Sequence, residues 1–231
     1  MVSSGGQFEQ PTRSGSFCAL LEPAEWSALV ALGRRQRFAA GAVLMYQDEP
    51  GDRVMILLSG RAKAARVGRD GTERLLSIRD SGDIIGELSF LDREPRLNTV
   101  TALEAAEALI IGAGEFRSFL ERTPRVAAVL IESLTARLRE VTLRESQFGA
   151  LDTIGRLSSR LVELAERYGE RSEQSTLIAL PLTQEELRAW TGASAAATAN
   201  ALQQLRKLGW IETYRRRIVI RDLDALRSRG T

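Results

Sequence analysis

Short apolar runs separated by Gly, Asp and Pro dominate the first half of the chain. Runs of this length with β-branched residues predict strands. We place them at residues 43–46, 54–58, 62–67, 74–78, 83–90, 98–102 and 108–111. The pair Asp70-Gly71 predicts a tight hairpin. Many short strands with Gly turns are typical of a β-roll or jelly roll, and we expect that architecture here.

Two segments around this region have helical spacing instead. Residues 17–33 predict one or two short helices, with Pro23 near a helix start. Residues 124–147 predict one long helix with a coiled-coil stripe. The stripe consists of Ala127, Ile131, Leu134, Leu138, Val141, Glu145 and Phe148. Such a helix either pairs with a second copy or lies on its own β domain, and periodicity alone leaves both alternatives open.

The C-terminal third predicts two helices joined by a tight turn. Before them, a hinge at Gly149-Ala150 leads into a further helix at residues 151–168. This helix is followed by a polar loop at 169–175 and an apolar run at 177–182. Thr183 and Glu186 form a capping-box pattern, and Ser194 is the predicted N-cap of a helix at 195–208. This spacing, with Gly192 in the turn, is typical of a helix-turn-helix.

The helix at 195–208 has one face that is expected to pack inward and one face that is expected to point to solvent. We expect Thr198, Ala201, Leu202 and Leu205 to face inward, and Ala195, Ala196, Ala199, Asn200 and Gln203 to face outward. Further on, Arg215, Arg216 and Arg217 lie between two apolar runs. This triple arginine predicts a wing tip that contacts the DNA backbone, with a simple solvated turn as the alternative.

Composition removes several classes of protein. The 231 residues predict one or two domains, and the net charge of +2 is too small to indicate nucleic-acid binding by itself. There is no histidine, and Cys18 is the only cysteine, so disulfides within the chain, iron–sulfur clusters and Cys/His zinc sites are excluded. We find no catalytic constellation and expect no enzyme. No apolar run is long enough for a membrane span, and residues 1–16 predict a flexible tail rather than a signal peptide, so we expect a cytoplasmic protein.

The segment from Gly86 to Arg96 places a carboxylate and a guanidinium on a short turn between two apolar strands. Glu87 is able to accept a hydrogen bond from a ribose hydroxyl, and Arg96 offers the donors that match a phosphate. Gly86 permits a close approach of the backbone, and Pro95 fixes φ before the arginine. A sugar phosphate fits this pair. The alternative is a salt bridge between Glu87 and Arg96 that only pins a loop.

This segment resembles the phosphate-binding cassette of cyclic-nucleotide-binding domains, and nearly the whole chain resembles the cyclic-AMP receptor protein (CRP/FNR) family. The resemblance implies an α+β fold. It consists of a flexible tail (1–16), a β-roll domain (17–123), a dimerisation helix (124–148) and a winged helix-turn-helix domain (149–231). It also implies a cyclic nucleotide effector such as cyclic AMP, no metal or covalent cofactor, a homodimer, double-stranded DNA as partner and possible contact with RNA polymerase.

The family's functional positions carry over residue by residue. The resemblance implies ligand contacts from Gly86, Glu87, Leu88, Arg96, Leu97 and Thr142. Glu87 would hold the ribose 2′-hydroxyl, Arg96 the phosphate and Thr142 the adenine amino group. It implies DNA contacts from Thr183, Ser194, Ala195, Ala196, Asn200, Gln203 and the three arginines 215–217.

Four positions depart from the family pattern, one in the ligand site and three on the second helix of the helix-turn-helix. Leu97 stands where relatives have a small residue, often a hydroxyl donor, and Ala195, Ala196 and Asn200 replace the usual Arg and Glu base readers. Alanine reaches only thymine methyls, whereas Asn200 and Gln203 suit adenine, so we predict weak readout with an A·T preference. These departures motivate an alternative function, a ligand-independent or weakly sequence-specific DNA-binding protein with an architectural role.

Overall fold

The computed structural model describes residues 9–69, 71–148, 151–180, 183–214 and 217–230. The chain divides into two compact units. One comprises the described residues up to Arg66 together with Leu76–Arg139, and the other comprises Val67–Leu75 and the described residues from Glu140 onward. The elements of the N-terminal half are a 3-10 turn (Cys18–Leu20), α1 (Pro23–Val30), β1 (Arg34–Phe38), β2 (Val43–Met45), β3 (Arg53–Ser59), β4 (Ala62–Val67), β5 (Glu73–Arg79), β6 (Ile84–Ile85), α2 (Glu87–Asp92), β7 (Thr99–Ala102), β8 (Ala106–Gly112) and α3 (Ala113–Arg122).

The strands form two four-stranded sheets, with the orders β1-β8-β3-β6 and β2-β7-β4-β5. Strand β8 pairs antiparallel with both β1 and β3, and β7 pairs antiparallel with β2 and β4. This architecture confirms the α+β fold with an N-terminal β-roll that the strand pattern predicted.

Strand β3 is buried on both faces, and its side chains point alternately into the two hydrophobic cores of the N-terminal half. Val54 and Ile56 point into a core shared with the helices, where Phe17, Trp26 and Phe116 lie. Met55 and Leu57 point the other way, into a second core that includes residues of both sheets. Since side chains alternate along a strand, one continuous apolar run serves both cores.

The cassette differs from the sequence prediction in its secondary structure. A strand at 83–90 was expected, but only Ile84–Ile85 form strand β6, and the chain continues as helix α2 from Glu87. Gly86, with φ of 83°, makes the left-handed turn between them. A positive φ ends the strand, and glycine adopts it without a steric penalty.

Helix α4 (Pro124–Phe148) confirms the predicted long helix and has two different faces. Val126, Val129 and Leu130 are buried in the helix-side core of the N-terminal half. Ile131 and Leu138 are 63% and 67% exposed. One face of the first half of α4 therefore packs on its own β domain, and a different face of the helix exposes Ile131 and Leu138 to solvent. The side chains of Glu145 and Phe148, which complete the predicted stripe, lie outside the described side chains.

The C-terminal part is a helix-turn-helix followed by a strand hairpin. Its elements are α5 (Thr153–Tyr168), β9 (Gly169–Ser172), β10 (Ser175–Ile178), α6 (Gln184–Thr191), α7 (Ala195–Lys207), β11 (Ile211–Tyr214), β12 (Arg217–Ile220) and α8 (Leu223–Arg229). The strands form one sheet in the order β11-β12-β10-β9. Leu157, Leu161 and Leu164 of α5 are fully buried, as is Leu205 of α7.

Three sequence predictions need correction. The polar segment 169–175 is not a loop, because Gly169–Ser172 pairs with β10 as an edge strand. Strand β1 was missed because Arg34–Phe38 has only one buried residue, Phe38. The tail was predicted as flexible up to Ser16, yet Ser16 is fully buried. Residues 1–8, Asp70, the hinge pair 149–150, and Pro181 and Leu182 of the predicted apolar run lie outside the described residues.

No helix in the described part of the chain is long and apolar enough to cross a bilayer.

Candidate ligand site and DNA-reading face

The backbone around Arg96 is fixed by the loop between β2 and β3. The Arg96 amide donates to the Glu49 carbonyl at 2.8 Å, and the Arg96 carbonyl accepts from the Asp48 amide at the same distance. Gly86 closes the other side, because a Cβ on Gly86 would lie 2.5 Å from Nη1 of Arg96 and 2.8 Å from Cε of Met45. Glycine at this position therefore leaves the space that the guanidinium fills.

The Arg96 guanidinium is 3% exposed and is held by three acceptors. Nη1 donates to the Gly86 carbonyl at 2.9 Å, while Nη2 donates to the Arg53 carbonyl at 2.5 Å and to Oδ1 of Asp52 at 3.3 Å. Arginine has five donors, so within the described structure the Nε–H and one Nη1–H are left for a ligand. Burial lowers the pKa of Arg96, and the charge of Asp52 partly opposes this shift.

Glu87 is bonded to a different residue. Its Oε1 accepts a 2.7 Å hydrogen bond from Nη1 of Arg137 on α4, and the Glu87 side chain is 5% exposed. The second oxygen, Oε2, remains as an acceptor for a hydroxyl group. Because Glu87 bonds to Arg137 and Arg96 bonds to Asp52, the alternative of a simple Glu87–Arg96 salt bridge is wrong.

Both cassette side chains line one small cavity. Its walls also include Gly86, Leu88, Leu97 and Asn98, and its volume is about 30 Å³. Sites for nucleotide-sized ligands usually measure about 300–1,000 Å³. Leu88 and Leu97 are the wall residues most exposed to solvent, at 40% and 46%. Binding of a nucleotide at this site therefore requires the cavity to open.

Thr142 lies on α4 and is exposed. The first unit ends at Arg139, and Thr142 belongs to the second unit. Its contact with a ligand at the cassette stays a prediction.

The helix-turn-helix has the predicted caps at both helix starts. Oγ1 of Thr183 accepts from the Glu186 amide at 3.1 Å, and Oε2 of Glu186 accepts from the Thr183 amide at 2.7 Å. Oγ of Ser194 accepts from the Ala197 amide at 3.2 Å. Gly192, with φ of 65°, ends α6 in the left-handed conformation. These caps fix where α7 begins, and so fix which residues lie at its N-terminus.

The two faces of α7 are those that the sequence predicted. Its inward residues Thr198, Ala201, Leu202 and Leu205 are buried. The outward residues Ala195, Ala196, Ala199, Asn200 and Gln203 are exposed. Near the C-terminal end, Nη1 of Arg206 donates to Oγ1 of Thr213 at 2.9 Å, which connects α7 to β11. The exposed face therefore offers two amides and several methyl groups.

The predicted wing is the hairpin of β11 and β12, in which Tyr214 pairs with Arg217. Arg217 is exposed at the start of β12. Arg215 and Arg216, at the predicted tip, lie outside the described residues.

The sequence prediction missed Arg137 and Asp52, the partners of the two cassette side chains. Arg137 follows Leu130 and Ser133 at helical spacing on the buried face of α4. An arginine on an otherwise buried face is a detectable signal, since a buried charge needs a partner. Asp52 gave no signal, because it lies in an ordinary Gly-Asp turn.

A β-roll with a buried Glu and Arg beside one cavity, a long helix and a capped helix-turn-helix define a class: transcription regulators with a nucleotide-binding-type sensor domain. Comparison with known proteins agrees. Residues 35–123 match the cyclic nucleotide-binding domain model, and residues 155–229 match the Crp-like helix-turn-helix domain model.

Two characterised relatives cover most of the chain. A CRP-like cAMP-activated global transcriptional regulator of Mycobacterium tuberculosis is 31% identical over 218 residues, which is 94% of this chain and 97% of the relative. The cyclic AMP receptor protein of Thermus thermophilus is 26% identical over 82% of this chain and 84% of its own length.

A solved structure shows the same fold. It is that of CLP, a c-di-GMP-responsive global regulator of Xanthomonas campestris, with a TM-score of 0.78 at 19% identity, covering 86% of this chain and 99% of that one. The chain belongs to the CRP/FNR family of transcription regulators. The family is not one of enzymes, as the sequence predicted.

Proposed function

We propose that the protein is a dimeric transcription regulator that responds to a cyclic nucleotide, most simply cyclic AMP. The observation that carries this proposal is the cassette, where Glu87 and Arg96 line one cavity, each held in place by a separate partner. Oε2 of Glu87 would accept from a ribose hydroxyl. The two remaining donors of Arg96 would contact the cyclic phosphate.

The exposed stripe of α4 supports a homodimer. Ile131, Leu138 and Val141 are between 47% and 67% exposed, and they repeat at the spacing of a coiled-coil seam. Single exposed apolar side chains need no explanation, but a stripe along one helix indicates a partner. A second copy of the same helix presents the matching stripe.

Helix α4 would also connect ligand binding to the dimer. Arg137 bonds to Glu87 at the ligand site, and its neighbour Leu138 belongs to the exposed stripe. A ligand that changes the position of Glu87 therefore changes the forces on the helix that forms the seam. A ligand shifts the equilibrium between two dimer states only by its difference in affinity for them.

The α7 helices of the dimer would read two half-sites about one helical turn of DNA apart. Asn200 and Gln203 would contact adenine, while Ala195 and Ala196 would contact thymine methyls. Thr183, Ser194 and the arginines 215–217 would contact phosphates. We further propose the domain limits 17–123, 124–148 and 149–231, a cytoplasmic location and contact with RNA polymerase.

Titration calorimetry with cyclic AMP, cyclic GMP and cyclic di-GMP tests the ligand-binding half of the proposal. We expect one of them to bind the wild type, and Glu87→Gln and Arg96→Leu to weaken it strongly. Arg117→Leu is a matched control, because Arg117 stacks on Phe90 and does not line the cavity. Thermal unfolding of each variant separates loss of the site from loss of the fold. Absence of binding by all three nucleotides would defeat this half of the proposal.

Selection of bound fragments from genomic DNA, with and without nucleotide, tests the other half. Enrichment of a palindrome rich in A·T, increased by the nucleotide, supports a regulator. Uniform and steeply salt-dependent affinity for random duplexes would instead support the architectural alternative. The family membership and the 31% identical regulator do not favour that alternative.

A further inference from the structure

The segment before the 3-10 turn is held in place by hydrogen bonds within the first unit. Nε2 of Gln10 donates to the carbonyls of Cys18 and Leu21, at 2.6 and 2.9 Å. The same segment places the Arg13 guanidinium against the turn that leads into β6. Nη2 of Arg13 donates to Oδ1 of Asp83 at 2.6 Å. Arg13 thus contacts the turn that comes just before β6 and the cassette.

Asp83 is a buried carboxylate between two arginines. Its side chain is 5% exposed, and besides Arg13 it faces Nη2 of Arg137 at 3.9 Å. Its other oxygen, Oδ2, accepts from the Asp80 amide at 2.9 Å. The Asp80 side chain, 6% exposed, faces Nε of Arg13 at 3.9 Å and Nε of Arg61 at 3.5 Å. Two buried acids therefore share the charge of Arg13.

Arg137 stands between two acids, Glu87 and Asp83. Its Nη1 to Oε1 distance from Glu87 is 2.7 Å, whereas its Nη2 to Oδ1 distance from Asp83 is 3.9 Å. Arg13 bonds to that same Oδ1 of Asp83. Arg137 therefore bonds to Glu87 while Asp83 bonds to Arg13, and Nη2 of Arg137 also donates to the Ile84 carbonyl at 3.4 Å. A buried carboxylate that loses one partner attracts the nearest remaining cation, since an unpaired buried charge is costly.

We propose that Arg13 is a positioning residue for the ligand site. By neutralising Asp83 it keeps Arg137 on Glu87, and so keeps Oε2 of Glu87 directed to a ligand hydroxyl group. This inference rests on the proposed function. Loss of Arg13 moves Arg137 toward Asp83, and the orientation of Glu87 is lost with it, although Arg13 itself touches no ligand.

The test compares cyclic AMP with 2′-deoxy cyclic AMP by calorimetry on the full chain. A hydroxyl bonded to a carboxylate makes the wild type discriminate between them by about tenfold or more. In Arg13→Ala we expect the ratio of dissociation constants to fall to about threefold or less, because cyclic AMP binding weakens and 2′-deoxy binding does not. A purely structural effect would weaken both ligands equally and leave the ratio unchanged, which would overturn the proposal.

Arg125→Ala is the matched control. Arg125 also forms an ion pair with a mostly buried carboxylate of the same unit, Glu25, but does not line the cavity. We expect it to alter unfolding and to leave the ligand ratio as in the wild type. A ratio that falls equally in both variants would show a general effect of destabilisation and would overturn the role of Arg13.

A ligand-free arm separates this proposal from the proposed function. The unfolding midpoints of Arg13→Ala, Glu87→Gln and the double variant should be non-additive, because both changes act through Arg137. Additive midpoints would overturn the coupling. If no nucleotide binds the wild type, the sensing function fails, and the midpoints alone decide whether Arg13 and Glu87 are coupled.

Discussion

The two functional regions are built in opposite ways. The cassette residues Glu87 and Arg96 are both buried, and both are bonded within the chain. On α7, the residues Asn200 and Gln203 are exposed. A small ligand is held by buried and oriented charges, because donors fixed in advance lose little entropy on binding. Side chains that contact bases in a DNA groove must project from the protein surface into solvent. Substitutions should therefore affect folding at the cassette and specificity at α7.

Gly86→Ala should give the largest effect. The left-handed φ costs alanine about 1–2 kcal/mol, and the overlap of Cβ with Arg96 and Met45 adds about 1–3 kcal/mol. We expect urea unfolding to show a loss of about 2–5 kcal/mol.

Two other glycines divide this loss into its parts. Gly41 has φ of 82° and open space around it, so Gly41→Ala should show only the cost of φ. Gly114 has an ordinary φ and open space, so Gly114→Ala should be neutral or slightly stabilising. A loss at Gly86 no larger than that at Gly41 would contradict the tight packing of the cassette.

Leu97→Ser should increase affinity for the nucleotide. It adds a hydroxyl donor to the cavity wall and removes a bulky side chain, and a hydrogen bond to a charged group contributes about 1.5–3 kcal/mol. Calorimetry should show binding that is about tenfold tighter or more. Leu97→Val, which removes bulk without adding a donor, is the control. Equal gains in both variants would assign the effect to space and not to the hydroxyl.

Asn200→Ala should change specificity and leave the fold intact. A bidentate contact to adenine contributes about 1–3 kcal/mol of discrimination, so the variant should bind its selected sites more weakly and tolerate other bases at one position. The free energy of unfolding should change by no more than about 0.5 kcal/mol, since the side chain is exposed. Gln204→Ala, an exposed neighbour that the reading face does not include, serves as control. An unchanged base preference would show that Asn200 reads no base.

Asp152 offers the smallest effect and a dependence on pH. Its Oδ1 caps α5 by accepting from the Gly155 amide at 2.8 Å, and Arg229 bonds to Oδ2 at 2.5 Å. The pKa of Asp152 is lowered below its ordinary value of 3.8, chiefly by the hydrogen bond from the Gly155 amide and then by Arg229. A depressed folded pKa stabilises the protein above the unfolded pKa, and this stability is lost as pH falls through the folded value.

Asp152→Asn separates the cap from the charge. Asparagine caps a helix as well as aspartate does, whereas Asp152→Ala should cost about 1 kcal/mol. The small difference between wild type and Asp152→Asn at neutral pH should begin to shrink near about pH 4 and disappear once the pH is below the folded pKa, as followed by unfolding at several pH values. A difference that persists there would show that the charge of Asp152 contributes nothing.

Elements with a strong local pattern were predicted well. The α4 prediction at 124–147 differs from the observed Pro124–Phe148 by one residue, and the capping box placed α6 correctly. Elements without such a pattern were missed. Strand β1 is mostly exposed and polar, and β9 is an edge strand of polar residues, so their formation depends on pairing with β8 and β10. The pairing of β1 with β8 joins residues far apart in the chain and leaves no local signal, whereas β9 pairs with its neighbour β10 through polar residues that show no strand pattern.

The sequence by itself determined the class of fold, the cassette pair Glu87 and Arg96 and the outward face of α7, because spacing and turn chemistry are local properties. Only the tertiary structure showed that Asp52 holds Arg96, that Arg137 holds Glu87 and that Arg13 satisfies Asp83. Each of these bonds joins residues far apart in the chain. A buried charge requires a partner, but the sequence does not say which of the 32 lysines and arginines supplies it.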